Sequence, residues 1–198
     1  MSTPASDLTT TALMGSVTAP ATHDLMNVLA IINEHAGLLS DLLQFGGPEA
    51  LTPEHLEKGI AAIATQVTRG RTLLTHLNRL AHAPDPNPSP VDVGLVTEEI
   101  VALTQRRFHA RLAAPASSGI VTCDPVRVRL LIFRLLEAAC HPTQQEETLV
   151  TVTSQGATLD ITLEGHRPLE HPDPLAEEIG ALLTSHHHTH TLSLKITD

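Results

Sequence analysis

The chain has no tryptophan, no tyrosine and only three phenylalanines among 198 residues. Stacking platforms for bases or sugars are therefore excluded, and the core has to be built from Leu, Ile, Val and Ala. Positive charge is scarce too, with 12 Lys and Arg against 22 Asp and Glu, for a net charge of −10. Binding to phosphate backbones needs concentrated basic surface, so no nucleic-acid partner is expected. No apolar stretch approaches the ~20 residues that span a bilayer. Residues 1–20 also lack the Lys or Arg with which a secretory signal begins. A cytoplasmic protein without a membrane partner is expected. Cysteine is limited to Cys123 and Cys140, in no metal-like spacing, which reads as two small buried thiols in a reducing compartment.

What the chain does have is apolar periodicity. Between Ala21 and Gln44, the residues Leu25, Leu29, Ile32, Ala36, Leu39 and Leu43 recur at spacings of 4, 3, 4, 3 and 4, the seam of a helical bundle. Phe45-Gly46-Gly47-Pro48 ends that helix. Thr52 then serves as N-cap with Pro53 at the first helical position, and Leu56, Ile60, Ile63, Val67, Gly70, Leu74 and Leu77 form a second stripe. Two such helices joined by a short loop make an antiparallel hairpin. One hairpin leaves half of its apolar surface wet, and Leu38, Leu42, Leu73 and Leu80 widen the stripes. Pairing with a second copy to close a four-helix bundle is therefore expected. Residues 1–19 read as a flexible N-terminus, because Gly15 and Pro20 interrupt any helix there.

His23 lies two positions before the seam residue Leu25, which turns it about 200° away from the seam and toward solvent. Asp24 follows directly and Asn27 lies one turn on. An imidazole displayed on a rigid helix, with a carboxylate and an amide beside it, is arranged for chemistry.

Residues 84–90 carry four prolines within Ala83-Pro84-Asp85-Pro86-Asn87-Pro88-Ser89-Pro90 and read as a stiff linker. The hairpin then spans 20–83 and a second domain 91–198. In that domain Val93 to Phe108 reads as a helix, with short strands at Ala110–Ala114 and Gly119–Cys123. Asp124 caps an apolar helix from Pro125 to about Cys140, closed by Pro142. Thr148–Ser154 and Thr158–Leu163 alternate as a β-hairpin, a helix follows near Pro174–Leu183, and a last strand lies near Thr191–Ile196. The fold class is α+β.

This order, and the residues that fill it, resembles the catalytic core of a sensor histidine kinase over roughly residues 20–198. In that family a dimerising hairpin carries the phospho-accepting histidine in an H-D/E-x-x-N/T motif, matched here by His23, Asp24 and Asn27. The second domain resembles the family's ATP-binding α/β sandwich in degenerate form. The family's metal-reaching Asn positions fall on Arg134 and Ala138. Its adenine-reading D-x-G-x-G falls on Leu163-Glu164-Gly165-His166-Arg167, and its G-x-G-L-G-L on Thr189-His190-Thr191-Leu192-Ser193-Leu194, where every glycine is gone. Without those glycines the backbone cannot cradle phosphates.

The resemblance thus implies a histidine phosphotransferase without autokinase activity, relaying phosphoryl groups to or from response-regulator receiver domains in two-component signalling. His23 would attack an aspartyl phosphate, with Asp24 orienting the ring or taking its proton. Asn27 could instead position water and make the protein a receiver phosphatase. No cofactor-binding or metal residue of its own is implied, and Mg²⁺ would come with the receiver. The implied partners are receiver domains, a hybrid histidine kinase and a second copy of this chain. The rival reading is a dimeric pseudokinase-like module that binds a receiver or kinase without chemistry. A working kinase with divergent ATP contacts is the third.

Other features read more plainly. His35 and His76 are packing residues at the edge of the stripes, and His55 is first-turn surface. The tract Ser185-His186-His187-His188-Thr189-His190 reads as a solvated loop before the last strand, with metal binding the sharper alternative. Glu146-Glu147 and Glu177-Glu178 read as solvated faces, and Arg106, Arg107 and Arg111 as a solvated helix end or a contact for an acidic partner.

Overall fold

The computed structural model describes residues 10–47, 52–83, 87–140, 147–165 and 173–196. Expectations that fall on residues 1–9, on Pro84 to Pro86, on Pro142, on Glu146, or on His166 and Arg167 lie outside the described residues.

Helix α1 (Thr10–Phe45) begins well before Ala21 and runs through Gly15 and Pro20, so residues 10–19 are helical where a flexible end was expected. The physical reason is burial. Leu13, Val17 and Ala21 are sealed in the core that α1 shares with the second domain. Burying Leu13 and Val17 contributes about 1.5–3 kcal/mol each, which offsets about 3 kcal/mol for a proline inside a helix. Helix α2 (Pro53–Ala81) starts as expected, with the Thr52 hydroxyl accepting from the His55 N–H at 3.3 Å.

The two helices pack as a hairpin, with Leu39 closing on Gly59 and Val28 on Gly70. The buried line is Ala21, Asp24 and Val28 on α1 and Gly70, Leu73, His76 and Leu80 on α2. Several seam positions stay outside it. Leu29 is 60% and Leu74 56% exposed, and Leu43, Ile60 and Val67 are exposed with them.

Strand β1 (Ser89–Asp92) begins inside the stretch read as linker. Pro90 is tolerated there because β1 belongs to a two-stranded ribbon. Asp92 caps α3 (Val93–Phe108) by accepting the Leu95 N–H at 3.2 Å. Strand β2 (Ala110–Leu112) follows, then β3 (Ile120–Cys123), antiparallel to β1. Asp124 caps α4 (Pro125–Ala139), accepting from Val126 N–H at 2.8 Å and Arg127 N–H at 3.1 Å.

Strands β4 (Thr148–Gln155) and β5 (Thr158–Glu164) form the expected hairpin, turned at Gly156 with φ +60°. The helix expected over Pro174–Leu183 is only α5 (Pro174–Glu178). Gly180, at φ +70°, ends that turn, and Leu182 opens β6 (Leu182–His186), paired with β7 (Thr189–Lys195).

The main sheet has the order β2-β4-β5-β7-β6, with β2 parallel to β4 and the other pairs antiparallel. Helices α3 and α4 pack on it. Ile100 and Leu103 of α3, Leu131, Phe133 and Leu136 of α4, Leu159, Ile161 and Leu163 of β5, and Leu192 and Leu194 of β7 are fully buried. Phe108 and Phe133 meet edge to face with ring centroids 5.3 Å apart. The protein is thus a helical hairpin followed by an α+β sheet domain, and α3 lies against α1 where the two meet.

Candidate functional site

His23 sits on the exposed flank of α1, as its helical phase requires. Its Nδ1 has two neighbours: Asn27 Nδ2 at 3.1 Å, one turn along α1, and Arg106 Nη1 at 2.9 Å, near the end of α3. Among the described residues, the hydrogen bonds to this ring all go to Nδ1, and none occupies Nε2.

Asp24 is one residue on, hence about 100° round the helix, and faces inward at 6% exposure. Its Oδ2 lies 3.9 Å from Arg69 Nη2 on α2 and its Oδ1 3.9 Å from Arg106 Nη1. The structure therefore brings His23 and Asn27 together but places a cation between His23 and Asp24. Sequence reasoning did not connect Arg106 with His23. Its only signal was the cluster Arg106, Arg107 and Arg111, which is engaged within the chain: Arg107 pairs with Glu137 at 2.6 Å and lies over the Phe108 and Phe133 rings, and Arg111 pairs with Glu147. The three side chains stay exposed at the end of α3 and the start of β2 while making these contacts.

At the described positions where the family resemblance would place nucleotide contacts, the residues make other contacts. Arg134 of α4 reaches Asp173 at 3.4 Å, and Ala138 offers no oxygen for a metal. The Gly165 N–H donates to His188 O at 2.8 Å, and the Gly165 backbone lies directly on Ala139. Leu192 and Leu194 are sealed inside a regular strand where a phosphate cradle would need loose glycines.

Other reactive groups are quiet. Burial, with Asp124 adding to it, pushes the Cys123 thiol up to about 11, and burial raises that of Cys140 as well. Both thiols stay protonated and unreactive near neutral pH. The histidine tract is a tight turn between β6 and β7 rather than a loop, with His190 buried and its Nδ1 2.6 Å from Ser185 Oγ. Among the described residues no group of three or more His, Cys, Asp or Glu is placed to hold a metal ion. Glu147 and Glu178, read as solvated, pair with Arg111 and Arg127. His76 is a packing residue at 4% exposure, with Nδ1 left without a hydrogen-bond partner and its pKa lowered by burial. Glu99 and Glu98 oppose that shift, and Arg79 adds to it. His35 is half-buried and His55 exposed. Among the described residues no helix is long and apolar enough to cross a membrane.

No family model matches the chain, and no curated protein matches it. Among solved structures it is similar to the histidine kinase AdeS of Acinetobacter baumannii, with 14% identity over 89% of this chain and 98% of that one and a TM-score of 0.41. A bacterial phosphotransferase is similar at 17% identity over 98% of both chains, with a TM-score of 0.45. The histidine kinase ThkA, determined in complex with the response regulator TrrA, is similar at 15% identity over 93% of this chain and 62% of that one, with a TM-score of 0.40. At these identities and scores the likeness is one of general arrangement.

Proposed function

We propose that this protein is a histidine phosphotransferase of two-component signalling that relays phosphoryl groups between response-regulator receiver domains through His23, without binding ATP. One observation carries the reading. An exposed imidazole stands on the flank of α1 with its Nε2 free of hydrogen bonds among the described residues. With the ring proton on Nδ1, that nitrogen offers its lone pair to a docked acyl phosphate. His23 Nε2 forms a bond to phosphorus, the P–O bond to the receiver's carboxylate breaks, and the electron pair leaves with that carboxylate. Passing the group to a second receiver reverses the step.

Mg²⁺ belongs to the receiver in this reading, and the second domain serves as a platform for docking rather than for a nucleotide. A second copy of the chain covers the exposed Leu29, Leu43, Ile60, Val67 and Leu74, closing a four-helix bundle. A hybrid histidine kinase can bring its own receiver to the same face. A phosphatase role through Asn27 is less favoured, because its amide is already engaged by His23.

The rival is a pseudokinase-like dimer that binds a receiver or kinase without chemistry, and the absence of a bond from Asp24 to His23 favours it. Incubation with phosphorylated receivers separates the two. Acid-labile label on the wild-type chain, absent from His23→Ala, supports transfer; label retained by His23→Ala ends the proposal.

A further inference from the structure

Arg106 contributes more than a hold on the ring. A guanidinium has only N–H donors and no acceptor, so the 2.9 Å contact from Arg106 Nη1 makes His23 Nδ1 the accepting nitrogen. The Asn27 amide, 3.1 Å away, points its Nδ2 at the same lone pair. A neutral imidazole that accepts at Nδ1 carries its proton at Nε2. Nε2 then has no lone pair to offer phosphorus.

We infer that Arg106, reaching across from α3 of the second domain, is a positioning residue that holds His23 in the tautomer unable to take up a phosphoryl group, so that transfer requires this side chain to withdraw. The inference rests on the phosphotransfer reading above and adds a gate to it. Asp24 completes the device. Its Oδ1 lies 3.9 Å from the same Nη1, so the cation that blocks the ring also stands between the ring and the carboxylate.

Withdrawal is physically available, since the Arg106 side chain is half exposed while the helix that bears it is anchored by Ile100, Leu103 and Phe108. A docking partner rich in carboxylates competes for it. Once Arg106 leaves, the proton can reside on Nδ1 and the Nε2 lone pair is freed. That lone pair forms the N–P bond, the P–O bond to the donor's carboxylate breaks with its electrons, and the Nδ1 proton passes to Asp24 or water. No other reactant is needed.

The test uses the full chain, ¹⁵N-labelled at histidine, as wild type and as Arg106→Ala, Arg106→Lys and Asn27→Ala. Two quantities are read: the His23 nitrogen shifts, and the rate of labelling by a panel of receiver domains charged with acetyl phosphate. Wild type is expected to show an unprotonated Nδ1 and a protonated Nε2. Arg106→Ala should move to a mixture of tautomers and take label about tenfold faster or more, the scale of one charge-assisted hydrogen bond. Arg106→Lys, which keeps a donor, stays nearer wild type, and Asn27→Ala moves a smaller distance in the same direction as Arg106→Ala. A wild-type ring protonated at Nδ1, or an Arg106→Ala protein labelled no faster than wild type, overturns the gate. Absence of label from every protein instead overturns the transfer reading, and the nitrogen shifts still decide the tautomer.

Discussion

Gly165 lies so close to Ala139 that a side-chain carbon on Gly165 would sit 2.7 Å from both the Cβ and the carbonyl oxygen of Ala139. The end of β5 is thus welded to the last turn of α4, at the place where the family resemblance would put adenine. Neither neighbour is the flexible tip of a side chain, so the backbone itself would have to move. Gly165→Ala is expected to lower stability by about 1–3 kcal/mol, the usual scale of overpacking, read as a lower urea midpoint. An unchanged midpoint would show that the two segments separate easily.

Leu29 and Leu74 give opposite results depending on whether the hairpin is paired. Both were expected in the core of a four-helix bundle, where truncation costs about 2–5 kcal/mol. In the single chain they are exposed, and Leu29→Ala or Leu74→Ala should change its stability by no more than about 0.5 kcal/mol. Covered by a second copy, they should matter in proportion to protein concentration. Sedimentation velocity is expected to show a dimer for the wild type, weakened in Leu29→Ala/Leu74→Ala. A monomeric wild type at every accessible concentration counts against the pairing.

His76 ties stability to pH through burial. Its folded pKa lies below the ordinary 6.5, because the buried ring resists charging. On acidification the unfolded chain takes up the proton first, so stability is full above about pH 6.5 and falls as the pH drops through that value toward the folded pKa. Glu98 and Glu99 across on α3 limit the shift, and Arg79 on α2 reinforces it. The melting temperature of the wild type should therefore fall more steeply between pH 7 and 5 than that of His76→Leu. Parallel curves would remove His76 as a contributor.

The ion pair of Glu99 and Arg129 is buried at the junction of α3 and α4, with contacts of 2.8 and 3.3 Å and a third bond from Arg129 Nη1 to Pro125 O at 2.8 Å. Such a pair stabilises little in itself, but breaking it strands a charge. Arg129→Met is expected to cost about 3–5 kcal/mol, and Glu99→Gln/Arg129→Met distinctly less. Additive losses in the double-mutant cycle would contradict the coupling.

What was legible in the sequence follows from how local each signal is. The limits of α3 at Val93 and Phe108, the Thr52 and Asp124 caps and the outward phase of His23 depend on neighbours a few residues away. The helical course of α1 through Pro20 was not legible, because only the packing of Leu13 and Val17 into a distant core outweighs the proline. Strand β6 hid in Ala181-Leu182-Leu183, an apolar run that suits helix and strand alike. The meeting of Arg106 with His23 spans 83 residues of chain, beyond the reach of any periodicity. The inward turn of Asp24 was not read from the sequence, and it is in the fold that Arg69 and Arg106 meet its carboxylate.

The central claim, that His23 carries a phosphoryl group, is tested most directly by mass analysis of the chain after incubation with phosphorylated receiver domains. The account predicts one phosphoryl group on the peptide containing His23, lost in acid, kept in base and absent from His23→Ala. A phosphoryl group found on another residue, or no modification across the receiver panel, would contradict it.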